Sequence, residues 1–159
     1  MVREVSVDEV WATLAEIRDP ELPVLSILEL GIVDRVEIEQ RTCTVEYTPT
    51  MTSCPATSLI ARDISDAVAA LGFEPRLVRR YSPPWTSARL TDSARKKLRD
   101  VGISVASKCD AGDGAAPAAR CPACGSSDSR LDTPFGGKCC RSLMSCNRCF
   151  EHFQHFRLA

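Results

Sequence analysis

The chain carries two Cys-x-x-Cys pairs, Cys121-Pro122-Ala123-Cys124 and Cys146-Asn147-Arg148-Cys149, and they decide how its last part must fold. A Cys-x-x-Cys turn brings two thiolates close enough to reach one metal ion, so two such turns supply four sulfur ligands. Four sulfurs suit the tetrahedral preference of zinc, at roughly 2.3 Å for each Zn–S bond. We therefore predict a metal site formed by Cys121, Cys124, Cys146 and Cys149, with a spacing close to that of a zinc ribbon.

Two further cysteines, Cys139 and Cys140, lie between the pairs, so this segment offers more thiols than one zinc ion needs. Both are candidates for additional ligands. Cysteine thiolates also hold iron–sulfur clusters. The residues therefore leave two cofactors open for this site, zinc and an iron–sulfur cluster.

Length, charge and hydropathy exclude several classes of protein. The 159 residues are enough for one domain and a small module. The formal net charge of −1 gives no electrostatic argument for a nucleic-acid partner. No apolar run approaches the roughly 20 residues that span a bilayer, and the N-terminal residues lack the apolar stretch of a secretory signal. We therefore expect a cytoplasmic protein, in which reduced thiols favour metal binding over disulfides.

The first part of the chain alternates between helical and strand-like periodicity. The predicted elements are, in order, a helix over 7–18, strands over 33–39 and 41–48, a helix that ends at Gly72, a strand over 76–81 and a helix over 92–101. Ser6 and Glu9 have the spacing of a capping box at the start of the first helix. This order predicts an α+β fold, in which helices pack on one face of a small sheet, followed by a small Cys-rich module similar to a zinc ribbon.

Composition divides the chain into three segments. We expect a domain over 1–103, a flexible linker over 104–120 that is rich in Ala, Gly and Asp, and a Cys-rich ribbon over 121–159. A ribbon of this size rarely contains enough core to fold alone. A structural metal can supply on the order of 10–16 kcal/mol, which is an independent reason to expect a bound ion.

Outside the ribbon, Cys54 has a physical reason to be reactive. Pro55 suits the first position of the second helix, which would place Cys54 at the N-cap. Backbone N–H groups and the positive end of the helix dipole would lower the pKa of a thiol there. Cys54 is therefore either a reactive or metal-binding thiol or a plain capping residue. Cys43, on the apolar side of a strand, is predicted to be a buried structural thiol.

The acidic residues Asp19 and Glu21 flank Pro20 in the loop after the first helix. They either belong to a solvated turn or form a pair of carboxylates aimed at a site. The sequence offers no phosphate-binding Gly loop and no recognisable Ser-His-Asp set, so we predict no catalytic residues and no enzymatic activity for this chain on its own. With two histidines, His152 and His155, it also lacks the Glu-x-x-His pairs of a di-iron carboxylate enzyme.

Several motifs resemble known families. Five motifs of the first part resemble the SufT-type iron–sulfur assembly domain, and they follow one another in the order found in that family. They are Asp19-Pro20-Glu21, Leu30-Gly31-Ile32-Val33, Tyr47-Thr48-Pro49-Thr50, Cys54-Pro55 and Pro83-Pro84-Trp85-Thr86. The tail, with Phe135-Gly136, Cys140-Arg141 and the two Cys-x-x-Cys pairs, is similar to that of PaaD proteins, which join the same two modules. It departs from them at Phe150, where the family usually has Gly.

The resemblance implies an accessory subunit of the phenylacetyl-CoA 1,2-epoxidase system in aerobic phenylacetate degradation, which assists assembly or maturation of an iron or iron–sulfur centre. It places Asp19, Glu21 and Cys54 in a site for iron or cluster transfer, with transient iron at Cys54. It places the four paired cysteines, with Cys140 nearby, in the metal-binding tail.

The implied partners are the other subunits of that oxygenase system, which hold the di-iron centre. Neither nucleic acid nor membrane is expected as a partner, and a homodimer is left open. The alternative interpretation is a non-catalytic subunit, stapled by zinc, that serves as a structural or interaction module in an oxygenase complex.

Overall fold

The computed structural model describes residues 5–52, 54–105, 119–136 and 141–156. The backbone divides into two compact units, Met1–Trp85 and Thr86–Ala159. Cys139 and Cys140, two of the candidate ligands, lie outside the described residues.

The first unit is a three-stranded sheet with two helices. Its elements are α1 (Val7–Ala15), β1 (Val33–Glu39), β2 (Thr42–Tyr47), α2 (Ala56–Ala70) and β3 (Glu74–Arg79). The sheet order is β1-β2-β3, with β1 and β2 antiparallel, whereas β2 and β3 are parallel and are joined through α2. Helix α1 contacts β1 and α2, and α2 contacts β3. The predicted α+β class is confirmed.

The predicted capping box begins α1. The Oγ atom of Ser6 accepts the backbone N–H of Glu9, and the Glu9 carboxylate accepts that of Ser6. The helix ends at Ala15 rather than at residue 18. The backbone of the next residues pairs elsewhere, because Asp19 N–H donates to the carbonyl of Leu25 and Ile27 N–H donates to the carbonyl of Ile17.

The core of the first unit lies between the sheet and the helices. Helix α2 buries Ile60, Ile64 and Val68 at helical spacing, and β2 buries Cys43 and Val45 at strand spacing. The prediction of a buried structural thiol at Cys43 is confirmed, and burial raises the pKa of that thiol. This unit therefore has an apolar core of its own that does not require a metal.

The second unit contains a four-stranded sheet. Its elements are α3 (Asp92–Asp100), β4 (Ile103–Val105), β5 (Ser129–Thr133), β6 (Arg141–Cys146) and β7 (His152–Phe156). The strand order is β4-β7-β6-β5, in which β4 and β7 are parallel and the other pairs are antiparallel. Helix α3 is capped by Thr91, whose Oγ1 accepts the N–H of Ala94, and it contacts β4.

The strand β4 was not predicted. Ser104 and Val105, which the composition assigned to the linker, are two of its three residues. A strand this short shows no periodicity, and its partner β7 lies far away in the sequence. The division at Trp85 also falls earlier than residue 103. The predicted limits of the domains therefore stay a prediction, and residues 106–118 of the predicted linker lie outside the described ones.

Among the described helices, none combines the length and the apolar character that a membrane span needs.

We expect Ile64→Ala to lower the free energy of unfolding of the first unit by about 2–5 kcal/mol, because Ile64 is fully buried and its truncation leaves a cavity. Urea unfolding followed by tryptophan fluorescence measures this, since Trp11 and Trp85 both lie in the first unit. The control is Ser58→Ala, at an exposed position of the same helix, which should change stability by less than about 0.5 kcal/mol. Equal effects of the two substitutions would contradict the assignment of the core.

Candidate metal centre

The four paired cysteines converge in the second unit. The sulfur atoms of Cys121, Cys124, Cys146 and Cys149 lie within 4.8 Å of one another. Two pairs are closer, because the Sγ atoms of Cys121 and Cys149 are 3.6 Å apart and so are those of Cys124 and Cys146. Four sulfurs placed tetrahedrally at roughly 2.3 Å from one ion are about 3.8 Å apart. The group therefore fits a single tetrahedral ion.

This closeness bears on the choice between one ion and a cluster. An iron–sulfur cluster divides its thiolate ligands between separate irons. Such a division spreads the sulfurs more widely than a single ion does. A group in which every sulfur lies within 4.8 Å of every other therefore favours one ion.

The first Cys-x-x-Cys pair forms a tight turn held by the backbone. The N–H of Gly125 donates to the carbonyl of Cys121 at 2.8 Å, and the N–H of Cys121 donates to the carbonyl of Ser126 at 2.9 Å. Gly125 follows the second cysteine and has φ 73°, a left-handed conformation that glycine adopts at little cost. The sequence thus supplies glycine where the turn needs it.

The second pair repeats the same turn with a different residue at that position. The N–H of Phe150 donates to the carbonyl of Cys146 at 3.0 Å, and the N–H of Cys146 donates to the carbonyl of Glu151 at 2.9 Å. Phe150 therefore stands where Gly125 stands in the first turn, with φ 63°. A bulky residue in this region is strained. Its side chain is 77% exposed, so little packing offsets the strain.

Local structure favours the thiolate form at one of the four cysteines, Cys146. Cys121 and Cys146 are buried, and they join Ala119, Met144 and Phe153 in one small apolar cluster. The backbone N–H of Cys149 is the largest cause that lowers the pKa of the Cys146 thiol to about 7, and the N–H of Arg148, 3.4 Å from the sulfur, contributes too. A lower pKa favours the thiolate, which is the form that binds metal. Cys149 behaves in the opposite way: the backbone N–H of Glu151 lowers its pKa, but burial and the neighbouring thiols outweigh that effect and raise it to about 12.

Three hydrogen-bonded side chains, one each on β5, β6 and β7, form a group that the sequence did not predict. The hydroxyl of Ser145 donates to the carboxylate of Asp132 and lies 2.8 Å from Nδ1 of His152, which is 3.3 Å from the same carboxylate. Serine and aspartate meet the same ring nitrogen, whereas a catalytic triad uses both nitrogens. The set therefore ties three strands together. Its members are distant in sequence, and only the strand register brings them together.

The candidate thiol of the first unit lies at a small cavity. The lining residues are Asp19, Ile32, Tyr47, Pro49, Thr50, Cys54, Thr57 and Ile60. The free volume is about 10 Å³, close to the smallest space that holds one water molecule. The structure thus brings Cys54 and Asp19 to one cavity, and Glu21 is not among the residues that line it.

The carboxylate of Asp19 organises the loop after α1. It is buried, and its Oδ1 atom accepts the backbone N–H groups of Glu21 and Leu22, each at 2.8 Å. Asp19 therefore has a structural role, whatever its role at the cavity. Within the described ranges, the paired cysteines are the one set of three or more His, Cys, Asp or Glu side chains close enough to share an ion.

The structure shifts Cys54 by one position from the predicted N-cap. Pro55 is the N-cap of α2 and the helix begins at Ala56. The carbonyl of Cys54 still accepts the N–H of Thr57 at 3.1 Å, so the residue takes part in the first turn. Differences of this size at helix ends are common.

Comparisons with known proteins match the two parts of the chain to two different families. The family model described as "PaaD zinc beta ribbon domain" matches residues 106–157, and the one described as "Iron-sulfur cluster assembly protein" matches residues 7–73. A putative 1,2-phenylacetyl-CoA epoxidase subunit of Escherichia coli strain K12 is 38% identical over 152 residues, which are 95% of this chain and 92% of the relative.

Two solved structures are similar to part of the chain. A domain of unknown function from Bacillus anthracis has a TM-score of 0.54 and 25% identity, and the match covers 57% of this chain and 89% of that one. A conserved hypothetical protein from Thermotoga maritima has a TM-score of 0.54 and 28% identity, and the match covers 62% of this chain and 98% of that one.

We expect Phe150→Gly to raise the free energy of unfolding of the second unit by about 0.5–1 kcal/mol, because it relieves the left-handed strain and removes little packing. Amide hydrogen exchange of β6 and β7 measures the change. Phe135→Gly is the matched control, since Phe135 is 60% exposed and does not have a positive φ. It should not stabilise the unit. A loss of stability with Phe150→Gly would show that the aromatic ring contributes more than the strain costs.

Proposed function

This chain belongs to the PaaD family of 1,2-phenylacetyl-CoA epoxidase subunits, and we propose from this membership that it is an accessory subunit of a phenylacetyl-CoA epoxidase system. The observation that carries the proposal is that the likeness to the Escherichia coli protein extends over both modules. In this proposal the chain has no catalytic centre of its own. It works with the other subunits of that system, in the cytoplasm.

We further propose that the first unit assists the assembly of an iron or iron–sulfur centre in a partner subunit. The match of residues 7–73 to an iron–sulfur assembly family supports this role. The thiol of Cys54 would bind the iron in transit, with the carboxylate of Asp19 at the same cavity. Glu21 would join this site only after a movement of the loop that follows α1.

For the second unit we propose that the four paired cysteines hold one zinc ion. The spacing of the sulfurs supports a single tetrahedral ion, and zinc is the ion that such Cys₄ ribbons hold. The ion would cross-link the two turns and stabilise the fold, a contribution that a small apolar cluster cannot supply alone. Cys124 and Cys149 are exposed, so one side of the centre faces solvent.

One observation favours the alternative of a purely structural subunit. The cavity at Cys54 has room for about one water molecule, which is far too little for a cluster unless the loops move. In that case Cys54 only begins a helix. The ribbon would then serve as an interaction module that binds other subunits through its exposed Leu131, Phe135 and Phe150.

We expect Cys54→Ala to keep the fold and the ribbon metal but to lower iron incorporation into the partner oxygenase by about tenfold or more, because a direct ligand is lost. Iron per oxygenase, measured after co-expression with each variant, tests this. Cys43→Ala is the matched control: it removes a buried thiol that does not line the cavity, so iron incorporation should stay normal as long as the variant folds.

The same experiment separates the two candidate functions. Normal iron content with Cys54→Ala, together with stable co-purification of the oxygenase subunits, would support the structural subunit and reject the role in assembly. Loss of iron with Cys54→Ala and not with Cys43→Ala would support assembly.

A further inference from the structure

A second cavity, larger than the one at Cys54, lies within the second unit. Its volume is about 490 Å³, within the range of about 300–1,000 Å³ that is usual for small-molecule sites. It lies beside the first metal turn, since Cys121 and Pro122 belong to its wall. No role proposed above uses this cavity.

The charge of the wall is positive. Arg95 and Arg99 are one helical turn apart on α3, and Arg120 directly precedes Cys121; all three line the cavity. Asp92 is the one acidic residue among those lining residues that the structure describes. Among the described residues of the wall, three arginines thus stand against one aspartate.

The three arginines differ in how far their donors are available to a ligand. Arg95 is half-buried, and its Nη2 atom donates to the backbone carbonyl of Ser87 at 2.5 Å, which fixes the orientation of the side chain. Arg99 and Arg120 are exposed, and neither forms an ion pair with a carboxylate of the residues that the structure describes. Their donors therefore face the cavity or solvent rather than a protein partner.

We propose that this cavity binds a small molecule through its phosphate groups. A planar guanidinium donates two parallel hydrogen bonds to phosphate, and three of them balance more charge than a single carboxylate carries. Val105 and Pro122 supply apolar wall for the rest of the molecule. This inference does not depend on the role of Cys54 in iron transfer.

The arginines could instead balance the metal centre. One divalent ion with four thiolates carries a formal charge of −2, and Arg120 is adjacent to the first of them. This alternative predicts that the metal content falls when an arginine is removed. The phosphate site predicts that the metal content does not change, so the metal analysis distinguishes the two.

The test is calorimetric titration of the full-length, metal-loaded protein at low ionic strength. The probes are inorganic pyrophosphate, ADP and coenzyme A, with adenosine as the probe without phosphate. We expect saturable binding of the phosphate probes and none of adenosine. Arg99→Ala and Arg120→Ala should each weaken binding about tenfold, which is typical for one charge-assisted hydrogen-bonded contact.

Two further variants make the test specific. Lys96→Ala removes a cation from the same helix, but Lys96 pairs with Asp100 and does not line the cavity, so binding should stay unchanged. Asp92→Asn removes the one carboxylate of the wall, so binding should become tighter. Tighter binding of coenzyme A than of ADP and pyrophosphate would identify a coenzyme A derivative as the ligand, whereas similar affinities would identify phosphate groups in general.

Three results would overturn the proposal. One is the absence of saturable binding by any phosphate probe. Another is equal weakening by Lys96→Ala and Arg99→Ala, which would indicate unspecific attraction by net charge. The last is loss of metal from Arg99→Ala or Arg120→Ala without a change in phosphate affinity, which would assign the arginines to the metal centre.

Discussion

The fold of the second unit depends on the convergence of four thiols within 4.8 Å of one another. Those thiols belong to two turns that adopt the same backbone hydrogen bonds, one before β5 and one between β6 and β7. The apolar cluster beside them is small, so in the proposed function a metal that cross-links the two turns would add to the stability of the sheet. The sheet β4-β7-β6-β5 extends outward from this point.

The first unit is built by a different principle. Buried aliphatic residues of α1, α2 and β2 form a core around which the loops after α1 and β2 meet. The indole N–H of Trp85 donates to the carbonyl of Leu30 and closes the unit at its last residue. Because this core supplies the stability, Cys54 and Asp19 need not contribute to it through metal binding. In the proposed function, the zinc ion of the second unit thus stabilises the fold, whereas the thiol of Cys54 in the first unit binds iron in transit.

Local sequence patterns predicted the features that lie within a few residues of one another. The features that they did not predict depend on pairing between segments that are distant in sequence. Ser6 and Glu9 predicted the start of α1, and alternation predicted the hairpin of β1 and β2, since each signal lies within a few residues. The two Cys-x-x-Cys pairs predicted that four thiols would converge, which they do. The strand β4 and the cavity with three arginines depend on segments that are distant in sequence. The early end of α1 depends on pairing with residues 25–27, which helical periodicity does not reveal.

The central claim is that the ribbon holds one ion and that the iron chemistry belongs elsewhere. X-ray absorption at the zinc and iron edges, with metal analysis, of protein purified without oxygen tests it most directly. We predict one zinc per chain, surrounded by four sulfurs at roughly 2.3 Å, both in the natural chain and in Cys54→Ala. Iron with acid-labile sulfide, retained in Cys54→Ala and lost in Cys121→Ser, would contradict the account, because the ribbon would then be the cluster site.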